Sequence, residues 1–170
     1  IVYGSERIRE NGLLQQIEDA LTNAGVLFVE YGGIKPNPTA ESVYKGIGVA
    51  LEQSVNFILA VGGGSPIDAA KGIALGAVYP GDFWDFYTGK ETPRFALPVG
   101  VVLTIPAAGS EGSGNSVITN EETHQKISVR FPGLLRPRFA IMNPELTMSL
   151  PWNQTAYGVV DMLAHIYERY

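Results

Sequence analysis

The chain has no cysteine, few basic residues and no long hydrophobic run. Without cysteine there is no disulfide and no thiolate metal site. The lack fits a reducing compartment, and a cytoplasmic location is the expectation. Twelve basic against 17 acidic residues leave a net charge of −5. That balance argues against nucleic acid or an anionic membrane as a partner. No apolar run approaches the ~18 residues of a membrane span, and no secretory signal pattern is read in the sequence. Internal repeats and low-complexity tracts are also missing. The 20 glycines and 11 prolines fall at separate turns, which predicts many short connections rather than disorder.

What is present suits one globular domain. The 170 residues are 45% hydrophobic and 17% charged. Apolar runs and helical stretches alternate. Helices are expected over 13–24, closed by Gly25, over 39–54 with Thr39 as cap, over 66–78, and from Asn153 onward. Strands are expected at 1–3, 26–31, 57–61, 99–105 and 139–142. Residues 116–119 and 126–130 read as a hairpin. The alternation predicts an α/β fold: a Rossmann-like parallel sheet with helices on both faces, plus the hairpin. The first residues read as a strand under way and the last as a helix without a stop signal. A segment of a longer protein is therefore expected. Ligands of such sheets bind beyond the carboxyl ends of the strands, so the residues after Tyr3, Tyr31, Val61 and Ile105 matter most.

The run Gly62-Gly63-Gly64-Ser65 follows the apolar strand Phe57–Val61 directly. Glycine permits close backbone approach and positive φ. Ser65 reads as an N-cap, Pro66 as the first helical residue and Asp68 as the acid of a capping pattern. A helix start offers free N–H groups to an anion, and a pyrophosphate fits. A strand–helix turn without ligand fits the same residues. Ile67 stands where the dinucleotide fingerprint needs a third small residue, and Asp82, about 20 residues on, lies in a Pro-Gly loop. This is a variant of the fingerprint. Asp68 would repel a phosphate placed too near it.

Pro106–Asn115 is a small, polar, glycine-rich loop after the strand 99–105. It reads either as the nicotinamide or substrate side of a cleft or as a surface connection. Asp161 and His165 share a helix face at a spacing of four. A carboxylate with an imidazole suits Fe²⁺ or Zn²⁺, or forms a surface ion pair. Val159, Val160, Met162, Leu163 and Ala164 surround the two and predict partial burial. Two ligands are too few for a site. His124, the other histidine, falls in the polar hairpin loop.

These segments, in this order, resemble the iron-containing (group III) alcohol dehydrogenase family. The resemblance runs from Ile1 to Tyr170, toward the branch of NADPH-dependent aldehyde reductases and butanol dehydrogenases. It is carried by residues 3–12, 32–38, Ala60–Lys71, Leu103–Glu111 and Gly158–His165. The resemblance implies a nucleotide-binding α/β domain over 1–151, with 152–170 as the first helix of an all-α, metal-binding second domain. It implies that Gly62, Gly63, Gly64 and Ser65 line a pyrophosphate. Asp68, Thr104, Ser110 and Lys126 would lie around the ribose and nicotinamide. Gly4, Arg7 and Asn37 would lie near the adenosine end. Asp161 and His165 would be two of four metal ligands. No side-chain general base stands out beside the metal.

Two departures bear on the cofactor. Ala108 stands where many relatives have threonine. Ser5-Glu6-Arg7 replaces Gly-Gly-Ser. Arg7 would pair with a 2′-phosphate and favour NADP; Glu6 would accept from a 2′-hydroxyl and favour NAD. The branch resemblance favours NADP. The implied reaction interconverts a small alcohol and an aldehyde with NAD(P) and Fe²⁺ or Zn²⁺. A homodimer is common in the family. Glycerol dehydrogenase or a dehydroquinate-synthase-like enzyme on the same scaffold, and a nucleotide-binding fragment without catalysis, are the rival readings. The segment alone is expected to have little activity.

Overall fold

A computed structural model describes residues 1–168 and residue 170. The chain runs β1 (Val2–Tyr3), α1 (Arg7–Glu10), α2 (Leu13–Asn23), α3 (Ala40–Glu52), β2 (Ile58–Gly62), α4 (Gly64–Gly76) and α5 (Trp84–Thr88). Then follow β3 (Val99–Leu103), the hairpin β4 (Asn115–Asn120) and β5 (Gln125–Arg130), α6 (Pro132–Leu135), β6 (Phe139–Ile141) and α7 (Trp152–Tyr167). Four strands form a parallel sheet in the order β1-β2-β3-β6, and the hairpin is separate. The α/β architecture is the one the alternating pattern predicts.

Strand periodicity divides the core between two faces. Ile58, Ala60, Val99, Val101 and Leu103 pack with α3, α4, α5 and the hairpin. Val61 and Val102 point the other way and meet Tyr3, Ile8, Leu13 and Leu14 from β1, α1 and α2. Both faces of β2 and β3 are thus covered, which is why these strands read as unbroken apolar runs. Thr39 caps α3 by accepting from the Ser42 N–H at 3.2 Å.

The expected strand at 26–31 is not a ladder strand. Only Tyr31 bridges to β1, with its N–H donating to the Ile1 carbonyl at 2.8 Å and its carbonyl accepting from the Tyr3 N–H at 3.1 Å. The segment lies at the edge of the sheet, and Leu27 is fully exposed, so its apolar run does not enter a two-sided core. Its position still fixes the topology. The chain leaves β1, adds Tyr31 on one side, and returns to build β2, β3 and β6 on the other. The direction of winding reverses between β1 and β2. That crevice, outside the carboxyl ends of two adjacent strands, is where open α/β sheets take ligands.

A second correction concerns the start of α4. Its N-cap is Gly63, and Gly64 and Ser65 are already helical, so Ser65 is not the cap and Pro66 is the third residue rather than the first. No side-chain cap forms. The reason is at Gly62, whose φ of 146° turns the chain one step earlier than a serine cap would. Asp68 is also committed elsewhere, accepting from the Ser110 hydroxyl and the Val117 N–H.

Candidate nucleotide and metal site

The crevice at the reversal point is a cleft of about 730 Å³. Gly4, Ser5 and Glu6 line it after β1, Gly62–Ser65 after β2, and Thr104 and Ile105 after β3. Lys35 and Pro36 close one side, and Gln154 of α7 another. The glycines have distinct duties. At Gly62 the positive φ excludes ordinary residues, and a Cβ would also meet the Pro66 ring at 2.8 Å. A Cβ at Gly63 would meet Ile105 Cγ2 at 2.5 Å. At Gly64 a Cβ would find no protein atom within 4 Å, so that position faces open cleft. The first N–H groups of α4 have no intrahelical acceptor and carry the positive end of the helix dipole. Backbone donors, a dipole and room for close approach make an anion cradle.

Asp68 does not crowd this cradle. Its carboxylate faces a second cleft, lined by the 108–115 loop, Arg130, Arg136 and His165. Ser110 Oγ donates to Asp68 Oδ1 at 2.6 Å, and the Val117 N–H donates to Oδ2 at 3.2 Å. Burial raises the Asp68 pKa above the usual carboxylate value, opposed by the Ser110 hydrogen bond and the Lys71 charge. One turn on, Lys71 is fully buried. Its ammonium donates to the Ser110 carbonyl at 2.7 Å, Ser110 Oγ at 2.9 Å, the Ser113 carbonyl at 3.0 Å and the Asn115 carbonyl at 2.7 Å. Burial pushes its pKa down to about 8, against the charges of Asp68 and Glu111. Tyr87 donates to or accepts from Ser116 Oγ at 2.7 Å in the same buried cluster.

The remaining expected site residues are dispersed. Lys126 Nζ donates to Asn37 Oδ1 at 2.7 Å, so these two meet each other and line neither cleft. Asn37 holds a left-handed φ of 57° there. Arg7 turns away from the cradle and donates to the Ser149 carbonyl at 3.0 Å. Asp161 Oδ1 and His165 Nε2 are 3.7 Å apart on one face of α7. Their side chains are 46% and 48% exposed, so each is about half buried. The apolar residues around them are themselves exposed, Val160 at 64%, while Gly158 of the same helix lies against the Pro106 carbonyl. Among the described residues no three metal-binding side chains cluster. The donor chemistry of the pair nonetheless fits half of an Fe²⁺ or Zn²⁺ site.

Reading the residues alone missed two contributors. Lys35 lines the cradle, and Lys71 organises the 110–115 loop. Lys71 had a visible signal: a single cation among Ala69, Ala70, Gly72 and Ile73, three residues after an acid.

A family model for iron-containing alcohol dehydrogenase matches residues 1–144. A probable NADH-dependent butanol dehydrogenase of Bacillus subtilis is 48% identical over 170 residues, covering all of this chain and 43% of its own length. The NADPH-dependent aldehyde reductase of Escherichia coli is 42% identical over 173 residues, with all of this chain and 44% of its own covered. The crystal structure of an NADH-dependent butanol dehydrogenase from Thermotoga maritima superposes with a TM-score of 0.94 at 44% identity, covering 98% of this chain and 42% of that one. The chain spans less than half the length of these relatives.

Proposed function

The chain belongs to the iron-containing alcohol dehydrogenase family, and on that premise we propose that it forms the nucleotide-binding wall of an oxidoreductase that interconverts small alcohols and aldehydes with a nicotinamide dinucleotide. The observation that carries the proposal is the cradle at the reversal point, where Gly64 and Ser65 offer free N–H groups to an open cleft. The pyrophosphate lies against 62–65. Thr104, at the end of β3, and Ser110 with Asp68, across the loop, hold the ribose and nicotinamide side. The Lys126–Asn37 pair and Gly4 belong to the adenosine side.

Residues 1–151 make up the nucleotide-binding unit, and α7 opens the metal-binding one, with Asp161 and His165 as ligands. A bound Fe²⁺ or Zn²⁺ would supply a Lewis acid that polarises an aldehyde oxygen or acidifies an alcohol. The cofactor carries the redox chemistry; these residues bind, orient and exclude water. The setting is cytoplasmic.

For cofactor choice, NADP(H) rests on Arg7, which is exposed and, among the described residues, held only by the Ser149 carbonyl, leaving it able to swing to a 2′-phosphate. A second reading, NAD(H), has its own observation: Glu6 lines the cleft and Arg7 does not. Glu6 also accepts from Arg9 Nε at 3.1 Å, which holds its carboxylate at the mouth of the cleft. The test is oxidation of NADPH and of NADH by short-chain aldehydes with the Fe²⁺-loaded full-length protein. Turnover dependent on aldehyde and metal supports the proposal. No turnover with either cofactor across the aldehyde series, in protein that holds iron, refutes it.

A further inference from the structure

Among the described residues Lys71 is the only fully buried charged side chain, and none of the roles above accounts for it. We propose, resting on the dinucleotide reading of the cradle, that Lys71 is a positioning residue for the nicotinamide half of the cofactor: its ammonium clamps residues 110–115 onto α4 and so sets Ser110 and Asp68, which line the second cleft.

The geometry is specific. Three N–H bonds serve four oxygens, three of them backbone carbonyls spread over Ser110, Ser113 and Asn115. The segment they fix has little regular structure of its own, one turn of 3₁₀ helix at Ser110–Gly112 entered from Gly109 at φ 70°. Its shape is therefore dictated from α4 and not from within. The same ammonium orients Ser110. Because Ser110 Oγ accepts from Lys71, its single proton goes to Asp68, and the carboxylate is held with it. The clamp acts on the second cleft and not on the cradle. Gly62–Ser65, on the other side of α4's first turn, make no contact with Lys71 among these bonds. Lys71 thus governs the nicotinamide side and leaves the pyrophosphate cradle alone.

The clamp also depends on the proton. A neutral amine has two donors and turns a lone pair toward carbonyl oxygens. The groups facing Lys71 are Asp68 on its own helix, Glu111 in the 3₁₀ turn and, through Ser116, Tyr87 of α5, whose hydroxyl burial keeps protonated. Lys126 of β5 adds a positive charge felt by Asp68. With the Lys71 pKa pushed down to about 8, the clamp loosens within an accessible range.

The experiment is calorimetry of the full-length protein with two probes, ADP and the reduced dinucleotide. Lys71→Met keeps the side-chain length and removes every donor. The expected result is a fall in dinucleotide affinity of roughly ten- to hundredfold, as for lost hydrogen bonds to a charged group, with ADP affinity unchanged. An equal loss for both probes, or no loss, overturns the proposal. Wild-type protein that binds neither probe overturns it together with the dinucleotide reading, a result distinct from the first two. Should Lys71→Met fail to fold, the wild-type protein supplies the same test. Its ratio of dinucleotide to ADP affinity falls as pH rises through about 8; a constant ratio across that range overturns the clamp.

Discussion

Gly64→Ala separates a ligand-binding turn from a merely structural one. No protein atom lies within 4 Å of the added methyl, and Gly64 is the first residue of α4, with a φ open to any L residue. Replacing a compatible glycine by alanine narrows the unfolded ensemble, so the variant should be unchanged or stabilised by roughly 0.5 kcal/mol. The methyl nevertheless projects into the cleft where a phosphate oxygen would approach the backbone to about 2.9 Å. Losing one charge-assisted bond there costs about 1.5–3 kcal/mol, or roughly ten- to hundredfold in affinity. Gly63→Ala is the control with the opposite profile. Its methyl would sit 2.5 Å from Ile105 Cγ2, which overpacks the turn and costs about 1–3 kcal/mol of stability. Thermal unfolding and dinucleotide titration on both variants give the comparison. Wild-type affinity in a folded Gly64→Ala protein would refute the placement of the pyrophosphate.

Other outcomes follow from the same geometry. Asp161→Ala and His165→Ala in the full-length protein should each lower bound iron and turnover together, measured by elemental analysis and initial rates; unchanged iron in both removes them from the metal site. Lys71 titrates at about 8 when folded and at its ordinary 10.5 when unfolded. Charge burial therefore destabilises the fold below pH 8 and is relieved as pH rises from 8 to 10.5, by at most about 3 kcal/mol. Chemical denaturation should show wild type gaining on Lys71→Met over that window, and a flat or falling difference contradicts the burial argument. Leu14 is fully buried between α2 and the sheet, so Leu14→Ala should cost about 2–5 kcal/mol in the same assay. Arg7→Ala should weaken NADPH more than NADH if Arg7 swings to the 2′-phosphate; equal effects favour the Glu6 reading.

The strands β2 and β3 and the helix α3 were legible because single local rules govern them: two-sided burial for the strands, and a threonine cap for the helix. The segment 26–31 misled for a physical reason. Apolar composition signals contact with something hydrophobic, not membership of a ladder, and Leu27 at a sheet edge has no ladder to join. Ser65 misled because its capping pattern is local, whereas the start of α4 is set by Gly62 turning early and by Asp68 reaching across 42 residues to Ser110. The grouping of Gly4, Gly62–Ser65 and Thr104 on one cleft followed from strand ends alone, since parallel strands in one sheet deliver their carboxyl ends to one edge. The Lys71 clamp could not be read that way. Its partners are backbone carbonyls, which no side-chain pattern announces.

The most direct test of the central claim is a crystal structure of the full-length protein with bound NADPH or NADH. The account predicts pyrophosphate density against the backbone N–H groups of residues 63–65, with the nicotinamide reaching past Thr104 toward Ser110 and Asp68. Pyrophosphate bound away from that turn, with Gly62–Ser65 facing only solvent, would contradict it.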